Sequence, residues 1–258
     1  MTVSPKLGTR HSLEILKVIR NGLLLDGGDL GEVLLPSREV EGQTLGPGDS
    51  VMVTLYSDGE GRSMASLRTP RVQLGQVASL KVVSTSKVGA FVDWGMPKDL
   101  LLPFAEQKGP VREESWVLVM LTTDREGRLM VSAQLDRFLS DTCQAYQQGD
   151  EVSLVAAHST DLGYKVVVDD HAWGMIAASE LRAPLRPGQR VTGYVQRLQI
   201  LAALEKAGGE LPLGDKSSPE VIFQTFRCSK NAFKQAIGGL YKARRIVIEK
   251  ERIFLSDV

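Results

Sequence analysis

The chain repeats itself. Asn21-Gly22-Leu-Leu-Leu-Asp26-Gly27 lies over Val88-Gly89-Ala-Phe-Val-Asp93-Trp94 at an offset of 67 residues. The same offset carries Glu32-Val-Leu-Leu-Pro36 onto Asp99-Leu-Leu-Leu-Pro103, and Glu39 onto Glu106. Asp58-Gly-Glu-Gly-Arg62, followed by Ser66, falls on Asp124-Arg-Glu-Gly-Arg128, followed by Ser132, at an offset of 66. A weaker third copy runs Leu162-Gly163-Tyr-Lys-Val-Val-Val-Asp169 and then Gly174-Met-Ile-Ala-Ala-Ser-Glu180; Gly163 answers to Gly89 and Glu180 to Glu106 at an offset of 74. Self-similarity at a fixed period means repeated small units, and it has to be settled before any single element is assigned.

Each copy reads as β. Leu13-Glu-Ile-Leu-Lys-Val-Ile and Val77-Ala-Ser-Leu-Lys-Val-Val alternate in part, and Val51-Met-Val-Thr-Leu-Tyr and Trp116-Val-Leu-Val-Met-Leu are apolar, β-prone runs. Asp58–Gly61 and Asp124–Gly127 read as hairpin tips, because Asp and Gly supply the turn conformations a tight reversal needs. Four to five short strands per copy, with no long helix, bury their apolar faces most economically as a small five-stranded barrel, which leaves no open edge.

After Leu198 the period changes. Ile200, Leu201 and Leu204 form a helical stripe ended by Gly208-Gly209. Ser217-Ser218-Pro219-Glu220 opens a second helix with an N-cap and a first-turn proline. Ser229 caps a third, whose Phe233, Ile237 and Leu240 face inward while Lys230, Asn231, Lys234 and Gln235 fall on the opposite side. Ile246-Val-Ile248 and Ile253-Phe-Leu255 flank Glu249–Arg252 as a β-hairpin. Three helices followed by a hairpin is the winged-helix plan. The expected organisation is therefore mainly β with a C-terminal α+β unit: barrels over residues 1–70, 71–140 and 141–198, then a winged helix over 199–258.

Several classes are set aside. Lys and Arg total 31 against 31 Asp and Glu, so bulk charge does not draw this chain to nucleic acid. Divided along the chain, however, residues 71–140 carry 9 basic and 8 acidic side chains and 199–258 carry 10 and 7, whereas the other two segments are net acidic. Cys143 and Cys228 form no CxxC, His11, His158 and His171 have no metal-ligand spacing, and no run approaches a membrane span. Gly209-x4-Gly214-Asp215-Lys216-Ser217 imitates a P-loop, but Asp215 stands where the lysine belongs. No catalytic order, cofactor loop or metal set survives. The expectation is a non-enzymatic, cytoplasmic protein.

Val77-x3-Lys81-Val, Val88-Gly-Ala-Phe91-Val-Asp, Leu101-Leu-Pro103-x2-Glu106 and Asp124-x3-Arg128-x3-Ser132 resemble the S1 RNA-binding domain, an OB-fold barrel. The whole chain, with Phe91-Val-Asp-Trp-Gly-Met-Pro-Lys-Asp-Leu-Leu and Leu213-Gly-Asp-Lys-Ser-Ser-Pro-Glu, resembles the CvfB family of bacterial proteins. That resemblance implies three S1 barrels, a winged helix, RNA binding and regulation of gene expression, including virulence genes. It places the RNA face of the second copy at Phe91, Asp124 and Arg128, while Val88 and Pro103 replace the usual aromatic and histidine; Lys87, Trp94 and Lys98 lie close in sequence to that face and are expected to extend it.

In the first copy only Asp58 and Arg62 remain, beside Asn21, Leu24 and Pro36. In the third, Leu162, Val166 and Ala177 leave no aromatic, which suits a scaffold. Phe91 reads either as a base platform or as a half-buried barrel aromatic, and Arg128 either as a phosphate contact or as a hairpin ion pair to Asp124. The winged helix offers Arg227, Lys230, Asn231, Lys234, Gln235, Lys242, Arg244 and Arg245. Single-stranded RNA is the favoured partner; duplex DNA on the winged helix and a protein-only scaffold are the alternatives, and a membrane is not among the partners. The third copy departs from the pattern by lacking the Asp/Arg turn and closing strand after Leu198, as though a stretch were omitted there.

Overall fold

The computed structural model describes residues 4–140, 146, 149–161, 163–181, 183–195, 200–226, 228–242 and 244–256. Two compact units divide the chain, residues 1–137 and 138–258.

The first unit holds two closed barrels. One is built from β1 (Arg10–Ile19), β2 (Gly22–Asp26), β3 (Glu32–Pro36), β4 (Ser50–Ser57) and β5 (Ser63–Ser66), joined in the order β1-β2-β3-β5-β4. The other repeats that order with β6 (Val77–Thr85), β7 (Gly89–Asp93), β8 (Leu100–Pro103), β9 (Trp116–Thr123) and β10 (Leu129–Ser132). Closure comes from one parallel pairing per barrel, Leu34 with Met64 and Leu101 with Met130. This is the OB-fold.

The repeated residues are those that let a short sheet curl. The first strand must pair with two neighbours, and it bends at a β-bulge, between Ile15 and Lys17 in one barrel and between Val82 and Ser84 in the other. Gly22 and Gly89 both sit at φ +149°, where a Cβ would lie 2.0 and 2.2 Å from the carbonyl oxygens of Leu35 and Leu102. Only glycine admits that approach. Glu39 and Glu106 then latch the barrel shut: each accepts a hydrogen bond from a fully buried serine, Ser66 at 2.6 Å and Ser132 at 2.5 Å. Glu39 also accepts from the Leu67 N–H, and Glu106 is held by Arg137. The repeated glutamate is thus a structural latch.

Residues 1–70 and 71–137 do not stand apart. Thr54, Leu55 and Tyr56 are buried in succession, which a strand covered on one face cannot show. Tyr56 belongs to the second barrel's apolar cluster, and Met64 packs against it. The Leu74 N–H donates to the Gly8 carbonyl, the Arg10 N–H to Gln73, and the Lys98 ammonium to the Asp58 carbonyl at 2.6 Å.

In the second unit β11 (Glu151–Thr160), β12 (Gly163–Val168), β13 (Ala172–Ala177) and β14 (Arg190–Tyr194) form a sheet ordered β13-β12-β11-β14. It keeps the bulge, between Ala156 and His158, and the strained glycine, Gly163 at φ +148°. Among the described residues it has no fifth strand to join β13 to β14, and Glu180, which has no latch serine to meet, is exposed. The third copy is therefore a four-stranded OB-like sheet.

The C-terminal part comprises α1 (Ile200–Lys206), β15 (Glu210–Leu211), α2 (Pro219–Phe226), α3 (Lys230–Lys242), β16 (Ile246–Ile248) and β17 (Ile253–Leu255), with sheet order β15-β17-β16. Ile200, Leu204, Ile222, Phe233, Ile237, Ile246 and Ile253 make its core. Gly208 and Gly209, both at positive φ, end α1, and the Gly209 N–H returns to the Leu204 carbonyl. The P-loop-like segment is a brace. A Cβ at Gly214 would lie 2.5 to 2.7 Å from the backbone of Glu249, Lys250 and Glu251, and the Lys216 N–H donates to the Lys250 carbonyl. Its glycine is needed to seat the wing.

Candidate nucleic-acid interface

In a closed barrel the inward residues fill the core, so any contact face is written in the alternate, outward positions. On the second barrel, cross-strand pairing places Phe91, Leu101 and Met130 in one outward row over β7, β8 and β10. All three are half-buried. The first barrel has the same row in Leu24, Leu34 and Met64, so Phe91 is its aromatic counterpart to an aliphatic position.

Arg128 stands beside that row on the β9–β10 hairpin, two-thirds exposed. Its guanidinium donates to Asp124 Oδ2 from Nε and Nη2, both at 2.7 Å, and Nη1 meets Glu126 at 2.9 Å. Asp124 Oδ1 meanwhile accepts the backbone N–H groups of Glu126 and Arg128. Asp58, Glu60 and Arg62 reproduce every one of these contacts in the first barrel. The aspartates therefore shape the hairpin tip, and the arginines are the groups a phosphate can reach, by displacing the glutamates.

The Arg62 side-chain hydrogen bond holds the Asp58 carboxyl below its ordinary range. At Asp124 desolvation is the largest single influence and pushes upward, but the Arg128 N–H and guanidinium together with the Glu126 N–H outweigh it, so that carboxyl is lowered too. Both tips keep their ion pairs at neutral pH and lose them as the pH falls through those depressed values.

Other expected contacts are relocated. Trp94 is 1% exposed and lies in the core of the second barrel, its Nε1–H donating to the Lys98 carbonyl at 2.7 Å. It pins the loop between β7 and β8 and offers no face to a base, which corrects its assignment to the interface. Lys98 is exposed, but its ammonium clasps the first barrel through the Asp58 carbonyl. Lys87 is exposed at the β6–β7 turn, with no ion pair among the described residues. In the third copy Gly163 pairs with Ala177 as Gly89 does with Pro103, so the counterpart of Phe91 is Lys165, not Val166. Val166 is buried, while Lys165 lies 3.8 Å over the Trp173 ring. Leu162 falls outside the described residues.

Two side chains escaped the sequence reading: Phe104 is 59% exposed and Trp116 is 63% exposed, both on the second barrel. Their signal was available in the repeat, since the first copy carries Ser37 and Ser50 at the matching positions. A large apolar group that only one copy carries, where another has serine, marks a local surface.

On the winged helix, Asn231, Lys234, Lys242, Arg244 and Arg245 are exposed and Lys230 is half-buried. Lys234 stands 3.5 Å from Asp215. Arg227 and the side chain of Gln235 fall outside the described residues. Acidic residues are absent from α3 itself, and Tyr241 is 56% exposed on its last turn. Cys228 is an inert core thiol: burial pushes it up to about 12. No helix of the described residues is long and apolar enough to cross a membrane.

Tandem OB barrels closed by an S1-type pattern and followed by a winged helix define a multidomain protein of the nucleic-acid-binding type. Residues 7–68 match the S1 domain family, and residues 198–255 match the CvfB-like winged helix domain. Conserved virulence factor B of Staphylococcus haemolyticus is 27% identical over 292 aligned positions, covering 97% of this chain and 94% of that protein. Its counterpart in Staphylococcus epidermidis is 26% identical over 97% of this chain and 95% of its own. A solved multidomain protein with nucleic acid binding domains from Streptococcus pneumoniae is 23% identical over 96% of this chain and 98% of its own, with a TM-score of 0.44. The chain is thus similar to conserved virulence factor B over nearly its whole length, and carries an S1 domain and a CvfB-like winged helix domain. An alignment of 292 positions on a chain of 258 means that the relative carries residues with no counterpart here.

Proposed function

We propose that the protein is a non-enzymatic, cytoplasmic regulator of gene expression that binds single-stranded RNA through its barrels, assisted by the winged helix. The observation that carries this reading is Phe91, an aromatic in the outward row of a closed OB barrel, beside the two-thirds exposed Arg128. A ring on that row stacks a base irrespective of its sequence, and each stacked base contributes about 1–3 kcal/mol. One such ring gives weak binding, so the affinity comes from several modules in one chain.

A second reading has its own support. An acid-free α3 with Lys234 and Lys242 exposed suits duplex DNA at the winged helix. Anisotropy titration of labelled single-stranded RNA, duplex RNA and duplex DNA across a salt series separates the two. Single-stranded RNA is expected to bind best, and Phe91→Ala with Arg128→Ala to weaken it. Preferential binding of duplex DNA, unchanged in that double variant, would establish the second reading instead.

A further inference from the structure

Phe104 follows β8 directly, on a short 3-10 turn (Phe104–Glu106). A ring left 59% exposed gains little from this fold, since burying it would remove far more apolar surface from water. Its backbone is nevertheless hydrogen-bonded on both sides. The Phe104 N–H donates to the Val88 carbonyl, and the Phe104 carbonyl accepts from the Gln107 N–H. Two residues on, Glu106 is anchored by Ser132 and Arg137. The ring is thus presented on a fixed support.

Its surroundings share that character. Val88, tied to Phe104 through the backbone, is 59% exposed, and Lys87 before it is exposed without an ion pair among the described residues. An aromatic plate, an aliphatic flank and an unengaged cation at one end of the β7–β8 pair match the two faces of a nucleotide: a flat base and an anionic phosphate. The first barrel has Asn21 and Ser37 where the second has Val88 and Phe104, and in the third copy Ala178 takes the place of Phe104. The combination occurs once in the repeat.

We infer that Phe104, flanked by Val88 and supported by Lys87, is a second base-stacking platform on the second barrel, separate from the Phe91 row, for single-stranded nucleic acid. The inference rests on the nucleic-acid reading above and adds a subsite to it. Lys87 meets the adjoining phosphate.

The test uses the full chain and a labelled 12-nucleotide uridine RNA, titrated by anisotropy at several salt concentrations. Phe104→Ser, which installs the first barrel's residue, is expected to weaken binding roughly 5- to 150-fold, with the salt slope unchanged because stacking releases no counterions. Phe104→Trp is expected to bind at least as tightly as the parent, which a folding defect at this position would not allow. Lys87→Ala should reduce the salt slope by about 0.7, the value for one phosphate contact on a single strand. If Phe104→Ser binds like the parent while Phe91→Ala weakens binding, the platform is overturned and RNA binding stands. If the parent binds no RNA, both fall together.

Discussion

Trp94 and Phe104 lie ten residues apart in the same barrel and have opposite fates: one ring is sealed in the core and the other stands in solvent. The difference lies in their partners. Trp94 has a carbonyl at 2.7 Å for its indole N–H, so burial costs it no hydrogen bond, whereas no pocket is formed around Phe104. Trp94→Ala is expected to lower the stability by about 3–5 kcal/mol, as large-to-small changes in packed cores do. Urea unfolding followed by circular dichroism measures this, and the remaining folded protein should keep its affinity for nucleic acid. The Asp-x3-Arg hairpins were legible in the sequence because two copies carry them at one spacing, whereas Phe91 was singled out by the resemblance to the S1 domain. The roles of Trp94 and Lys98 were not, because their partners lie across a loop and on another barrel.

Among the elements, the latch separates the copies. Glu106 accepts the hydroxyl of fully buried Ser132, while Glu180 at the matching position is exposed. Glu106→Ala leaves that hydroxyl buried without its acceptor and is expected to cost about 1–3 kcal/mol. Glu180→Ala should leave thermal unfolding unchanged within error, and differential scanning calorimetry on the two variants provides the comparison. The strands, the hairpin tips and the repeated glycine were readable as a pattern, since each depends on residues within one copy. The four-stranded state of the third copy was readable only as a missing Asp/Arg turn. Its register followed from the offset of 74, but the counterpart of Phe91 was placed one residue too far along, and one residue exchanges Lys165 for Val166, an outward position for an inward one.

For the molecule as a whole, the boundary near residue 70 separates two folds but not two bodies. Tyr56 fills the second barrel's apolar cluster from the first, and Lys98 reaches back. Hydrogen exchange on the full chain is expected to show β1–β5 and β6–β10 losing protection together, and Tyr56→Ala to lower both by the same increment. Separate exchange of the two barrels would contradict a shared core. Repeated residues match from copy to copy, whereas a contact that one copy makes with the next leaves no match between them. The hint lay in Tyr56 itself, a large aromatic on a strand whose partner copy has Thr122 at the equivalent place.

That shared core has a consequence for how a strand is captured. Two modules on a loose tether must search for each other's ligand, and every encounter forfeits chain entropy in the linker. Here the linker carries its own fixed contacts, Leu74 to Gly8 and Arg71 to Asp93, so the first and second barrels keep one mutual orientation before anything binds. A nucleic acid held by one barrel meets the other at a local concentration set by geometry rather than by tether length. The cost of alignment then falls on the ligand and not on the protein.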